Sequence, residues 1–143
     1  MQSFCETLVG LLDTQGARTH AWCVLPNHYH ALIETTGILV VLAELGRMHG
    51  RLSFRWNGEE HSRGRQVWCG ATERYMRNEG HFWATMNYVH HNPVHHGYVH
   101  HWQDWPFSSA QEYLAQMGRQ FAERTWREYP ILEYGKGWDD PAS

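Results

Sequence analysis

Apolar side chains recur every three to four residues in four stretches of the chain, at residues 4–15, 38–52, 82–89 and 110–117. This spacing places them on one face of a helix, so the pattern predicts four amphipathic helices. Ser3 and Glu6 form a capping-box pattern at the start of the first helix, and Gly16 is typical of the residue that follows a helix end. The third helix should end near Asn92, because a proline disfavours helix in the residue before it.

Two segments between the first and second helices are typical of β-strands. Residues 18–25 and 29–34 are rich in aromatic and branched apolar side chains. Pro26 and Asn27 lie between them and favour a turn. The pattern therefore predicts an antiparallel hairpin.

The remaining stretches carry weaker signals. Residues 66–76 have the composition of a further strand, and residues 57–64 are predicted to form a loop. From residue 120 onward the periodicity is slight, which indicates an extended or short helical wrap. No internal repeat or linker interrupts the chain, so residues 1–143 are predicted to form one α+β domain.

The hairpin carries two histidines at alternate positions. Since successive side chains of a strand point to opposite faces, His28 and His30 should share one face while Tyr29 points to the other. Two imidazoles on one face can bind a divalent metal, although such a pair is more often a coincidence or two hydrogen-bonded histidines. Tyr88 and Asn92 lie one turn apart on the third helix, away from its apolar face. The amide oxygen is a possible third ligand and the phenol a possible nucleophile, but surface and turn roles remain open.

The charges and cysteines restrict the protein class. The net charge of −3 gives no general attraction to nucleic acid, yet residues 46–77 hold seven arginines against three glutamates. Arg47, Arg51 and Arg55 form a basic stripe along the second helix, either as a solvated face or as phosphate contacts. Three cysteines without a Cys-x-x-Cys pair indicate reduced thiols and a cytoplasmic protein. No apolar run is long enough to span a membrane, and no secretory signal is visible.

Two longer segments resemble a known protein family. Residues 21–33 (AWCVLPNHYHALI) strongly resemble the HUH segment of the REP-associated tyrosine transposases, a branch of the IS200-like single-tyrosine HUH transposases. Residues 88–99 (YVHHNPVHHGYV) look like that family's tyrosine helix and the Asn-Pro-Val turn after it. Shorter matches follow in the same order and spacing, at residues 67–68, 77–82 and 104–109. The resemblance covers residues 4–113 and leaves residues 114–143 as a C-terminal wrap.

This resemblance implies a ferredoxin-like HUH domain that cleaves single-stranded DNA near hairpins, as a monomer or homodimer. It implies that His28 and His30 bind Mg²⁺ or Mn²⁺, with Asn92 as the third protein ligand. Tyr88 would attack phosphorus and leave a 5′-phosphotyrosine. The side chains expected to contact DNA are those of Arg47, Arg51, Arg55, Arg63, Arg65, Arg77, His95 and His96.

The chain departs from the family pattern in two places. The family opens with a strand of the Tyr-His-Val-Thr-x-Arg kind, whereas this chain starts at the helix after it, so one edge of the sheet should be exposed. His95 and His96 stand where relatives often carry lysine or arginine, so phosphate binding there should strengthen as the pH falls. Two alternative functions follow: a catalytically inactive hairpin-DNA binding protein, and a histidine-rich metal-binding protein with no DNA role.

Overall fold

A two-stranded antiparallel sheet lies between two groups of helices in the computed structural model, which describes residues 1–59 and 78–131. Strand β1 comprises Arg18–Val24 and strand β2 comprises Tyr29–Glu34. The register places Cys23 opposite His30, and a bulge follows Thr19. Both strands and the turn between them form where the sequence predicts, because a Pro-Asn turn and two short strand-forming segments are local signals.

Five helices and one 3₁₀ turn surround the sheet within the described residues, which makes the fold α+β as predicted. Their bounds are α1 Gln2–Thr14, α2 Ile38–Glu59, α3 Glu79–His95, α4 Ala110–Met117 and α5 Arg119–Glu128, with the 3₁₀ turn at Trp102–Asp104. None of the helices in residues 1–59 and 78–131 combines the length and apolar character that a membrane crossing requires.

Alternation along the strands divides the interior into two cores. On one face of the sheet, Val24 of β1 packs with apolar side chains of α1 and α2, among them Leu8, Leu12, Val41 and Met48. On the other face, Ala21, Cys23 and Leu32 pack with α3, α4 and α5 through Met86, Val89, Tyr113 and Ala122. Each face of the hairpin is therefore covered by a different set of helices.

The predicted start of α1 and the predicted end of α2 are wrong. Ser3 lies inside α1, whose N-cap is Met1, so the predicted capping box does not form. Helix α2 continues to Glu59 through the predicted loop, because Trp56 packs against the first core and Asn57 is buried. From residue 120 the sequence pattern allows an extended or a short helical form, and the structure has the short helix α5 there.

Helix α3 continues past Pro93 to His95, contrary to the predicted end at Asn92. Gly97 ends it instead, with a φ of 78°. Its N–H donates to Val94 O and the Tyr98 N–H donates to Pro93 O, at 3.0 and 2.9 Å. These two bonds form a Schellman motif, which satisfies the last carbonyls of the helix. Gly16 ends α1 in the same way, as predicted.

The segment from Trp105 to Ser109 covers the outer edge of β1. The Val24 N–H donates to Phe107 O at 2.8 Å, and the Trp22 N–H donates to Ser109 Oγ at 2.9 Å. In the described ranges, β2 has only β1 as a strand neighbour, so the other edge of the sheet lacks a strand partner there. The predicted strand at 66–76 and residues 132–143 of the wrap lie outside the described residues.

Candidate metal and nucleophile site

The histidine pair projects from the hairpin toward α3. The ring centres of His28 and His30 are 5.2 Å apart and the rings are perpendicular. Tyr29 points to the opposite face, where its hydroxyl hydrogen-bonds His49 Nε2 at 2.8 Å on α2. The two imidazoles therefore share one face, as the alternation of the strand predicts.

Asn27 determines which nitrogen of His28 can act as a ligand. The Nδ1–H of His28 donates to Asn27 Oδ1 at 2.7 Å. Because an amide oxygen can only accept, Nδ1 carries the proton and Nε2 keeps its lone pair. Histidines that bind metals are oriented by hydrogen bonds of this kind.

One face of α3 lies along the histidine pair. The ring of Tyr88 is 5.3 Å from that of His30, and the ring of His96 is 4.9 Å from that of His28. Asn92 occupies the position between them at i+4, so it faces the same pair, and it is 0% exposed. The structure therefore brings the rings of Tyr88, His28, His30 and His96 together, and Asn92 lies one helical turn after Tyr88 on the same face.

His96 belongs to this cluster, although the sequence predicts it only as a DNA contact. It extends the Tyr88–Asn92 line by one more turn. The prediction missed it because a helix ending at Asn92 would not carry the line further. Gly97, a typical residue after a helix end, was the signal that could have corrected the helix end.

The donor set fits a divalent metal. Two imidazoles bound to one ion at about 2.1 Å have ring centres about 4.5 Å apart at an octahedral angle and about 5.3 Å apart at a tetrahedral angle. The separation of His28 and His30 lies between these values. No three histidine, cysteine or carboxylate side chains of residues 1–59 and 78–131 are grouped to hold a metal by themselves. The Asn92 amide oxygen, on the helix face that lies along the pair, is a ligand of the kind that Mg²⁺ and Mn²⁺ take.

Burial keeps two neighbouring side chains uncharged. It raises the pKa of Tyr29 to about 12 and lowers the pKa of His90 to about 4. His90 projects from another face of α3, where its Nε2 hydrogen-bonds Ser109 Oγ at 2.8 Å. At neutral pH, neither group places a charge beside the histidine pair.

The predicted DNA-contacting residues are not gathered in one place. Arg47, Arg51 and Arg55 are exposed on α2, which packs on the sheet face opposite the histidine pair. His95 is exposed next to His96, with the ring centres 5.0 Å apart. The other three arginines, Arg63, Arg65 and Arg77, lie outside the described residues.

Comparison with family models, with curated proteins and with solved structures finds no match to this chain.

Proposed function

We propose that this protein is a metal-dependent, tyrosine-based endonuclease and strand transferase that acts on single-stranded DNA near hairpins. The observation that carries the proposal is the contact between Tyr88 and His30, whose ring centres are 5.3 Å apart. It joins a phenol from α3 to an imidazole pair from a distant part of the chain. The resemblance of residues 21–33 and 88–99 to the REP-associated tyrosine transposases supports the same chemistry. In this proposal the α+β fold is a ferredoxin-like HUH domain that works in the cytoplasm as a monomer or homodimer.

The chain's own residues bind the phosphate, supply the nucleophile and orient both. His28, His30 and Asn92 would hold Mg²⁺ or Mn²⁺, which when bound polarises a phosphate and neutralises the charge that develops on it. The Tyr88 oxygen forms a bond to phosphorus while the bond from phosphorus to the 3′ oxygen breaks. The phenol loses its proton and the departing 3′ oxygen takes one up. The product is a 5′-phosphotyrosine, and attack by another 3′-OH reverses the step and joins strands.

A second candidate function is hairpin-DNA binding without cleavage, and the burial of Tyr88 favours it. The residue is 5% exposed, and a nucleophile must reach a phosphate of the bound strand. Cleavage therefore requires that DNA binding expose the phenol between α3 and β2. In the second candidate function, Tyr88 stays packed against His30, and the surface around it binds DNA without cleaving it.

Covalent trapping separates the two functions. The protein is incubated with Mn²⁺ and a 5′-single-stranded hairpin oligonucleotide labelled at its 3′ end, and the product is analysed under denaturing conditions. The proposal predicts a protein–DNA adduct for the wild type and none for Tyr88→Phe. Chelation of the metal should also abolish the adduct.

Tyr98→Phe is the matched control, because Tyr98 lies just after the same helix and is 44% exposed. It should form the adduct at the wild-type level. DNA binding by the wild type without an adduct would exclude cleavage and establish the second candidate. Mn²⁺ binding that survives His28→Ala with His30→Ala, measured by calorimetry, would exclude the proposed metal site.

A further inference from the structure

A cleft of about 370 Å³ lies on a different side of α3 from the histidine pair. Three residues line it from α3, at about 100°, 160° and 60° from Tyr88 around the helix axis: Asn87, His90 and His91. Trp102 and Trp126 line it from the 3₁₀ turn and from α5. Its volume is in the range of pockets that bind small ligands. The cleft is therefore separate from the proposed catalytic site, but it is built on the same helix.

Aromatic rings form the walls of this cleft. Trp126 is 36% exposed, and its ring centre is 4.8 Å from that of His91. Trp102 stacks on His90 at 5.8 Å with an angle of 21° between the rings. Such walls suit a flat aromatic ligand that can stack.

Polar groups at the cleft suit the edge of a base and a phosphate. His91 Nδ1 is buried and makes no hydrogen bond within the described residues. Glu123 and Arg127 also line the cleft, and Glu123 forms an ion pair with Arg119 at 3.8 Å. Because the carboxylate of Glu123 is paired with Arg119 of the same helix, the guanidinium of Arg127 in the cleft lining favours a phosphate beside the aromatic walls.

We propose that this cleft binds one unpaired nucleobase of single-stranded DNA by stacking on Trp126, with Arg127 on an adjacent phosphate. This inference rests on the proposed function for the source of the base. The cleft and Tyr88 lie on different sides of one helix, which is about 10–12 Å across. The base bound here would therefore lie a few nucleotides from the phosphate at Tyr88. The cleft would set the distance between a recognised base and the cleaved bond.

Binding of octathymidylate in the presence of a chelator tests the cleft without cleavage. Tryptophan fluorescence and the anisotropy of a labelled strand measure this binding. Loss of one stacked base reduces affinity about 5- to 150-fold, and we expect this loss for Trp126→Ala. Trp126→Phe should restore most of the affinity, because a phenyl ring still stacks. An abasic octamer of the same charge should bind the wild type about as weakly as octathymidylate binds Trp126→Ala.

The matched controls are Tyr98→Ala, which removes an exposed aromatic ring outside the cleft, and Arg124→Ala, which removes a neighbouring charge of α5. Both should bind within about twofold of the wild type, whereas Arg127→Ala should bind several-fold more weakly and with less salt dependence. Unchanged near-ultraviolet circular dichroism shows that each variant folds.

Equal binding of the abasic and normal octamers would overturn the proposal. Binding of thymidine monophosphate without any binding of the octamer would also overturn the proposal. Because no adduct forms in chelator, these results are independent of the Tyr88 test.

Discussion

The side chain of Asn27 orients His28 from an exposed position in the turn, so it can be changed without disturbing either core. Asn27→Ala removes the acceptor of the Nδ1–H, and the ring can then rotate or exchange tautomers. We expect Mn²⁺ affinity to fall about 10- to 100-fold, the usual effect of removing a hydrogen bond behind a metal ligand. Isothermal titration calorimetry of the protein without DNA measures this.

Asn27→Asp is the conservative control, because a carboxylate oxygen still accepts the same hydrogen bond. It should bind Mn²⁺ at least as tightly as the wild type, since its negative charge makes the imidazole a better ligand. Equal affinities for wild type and Asn27→Ala would mean that the Asn27–His28 bond has no part in metal binding.

His90 gives a stability that depends on pH. Its folded pKa of about 4 lies below the ordinary histidine value of 6.5, because burial disfavours the charged ring. The contribution of His90 to stability is complete above the pKa that histidine has in the unfolded chain. It is lost as the pH falls through the pKa of His90 in the folded protein. Between pH 7 and 4.5, the free energy of unfolding should drop by roughly 2–3 kcal/mol from this group.

Urea denaturation of the wild type and of His90→Gln in chelator measures this difference. Glutamine stays neutral at both pH values and can still hydrogen-bond Ser109. Burial also lowers the pKa values of His49 and His91, and this effect is common to both proteins. The variant should therefore lose less stability than the wild type over the same interval. An identical loss in both would show that protonation of His90 does not control the transition.

At the scale of elements, the end of α3 holds His96 next to the histidine pair. Gly97 has a φ of 78°, a conformation that costs an L-residue about 1–2 kcal/mol. Gly97→Ala should lower the free energy of unfolding by about 1 kcal/mol, because the Schellman motif requires the alanine to adopt this unfavourable positive φ. Chemical denaturation measures the change.

Gly46→Ala in α2 is a control for which we expect the opposite change in stability. Gly46 lies inside the helix, is exposed, and has no atom within 4 Å of an added Cβ. Alanine there should raise the free energy of unfolding by about 0.5–1 kcal/mol, because glycine is the more flexible residue in the unfolded chain. If both variants changed stability in the same direction, the positive φ of Gly97 would not be what determines its effect.

Local signals explain which elements could be predicted. The hairpin and the end of α1 at Gly16 depend on residues close in sequence, so the pattern locates them correctly. Pro93 misled the prediction because it is fully buried in the packed end of α3, where tertiary contacts outweigh a local preference. The pattern could not decide between an extended and a short helical form for α5, because its buried face, with Ala122 and Thr125, contains small or polar residues. Packing decides elements whose own patterns are weak.

At the scale of the molecule, contacts between distant residues lay beyond prediction from the sequence pattern. The strand pattern predicts that His28 and His30 share a face, but it does not say which helix covers that face. The edge contact between Trp22 and Ser109 joins residues 87 positions apart, and Ser109 also hydrogen-bonds His90. The sequence therefore predicts the histidine pair, and the packing of α3 adds His96 and the aromatic cleft.

The arginines of α2 and the overall charge lead to a prediction about salt. With a net charge of −3, the molecule as a whole does not attract DNA, so attraction must come from local cations. Arg47 and Arg55 form ion pairs with Glu44 and Glu59 on the same helix. We therefore choose Arg51, exposed between them, to test whether DNA reaches α2.

Helix α2 lies across the sheet from Tyr88, so only DNA that extends beyond the catalytic site can contact it. For an oligonucleotide with a hairpin, Arg51→Ala should reduce the slope of log affinity against log salt by about 0.7–0.9, the value for one phosphate contact. For a short strand without a hairpin, the slope should not change. Arg18→Ala is the control, because Arg18 pairs in register with Glu34, at the end of the hairpin far from His28. An equal slope for wild type and Arg51→Ala on the hairpin substrate would mean that the basic stripe is a solvated helix face. The hairpin would then bind to another part of the protein.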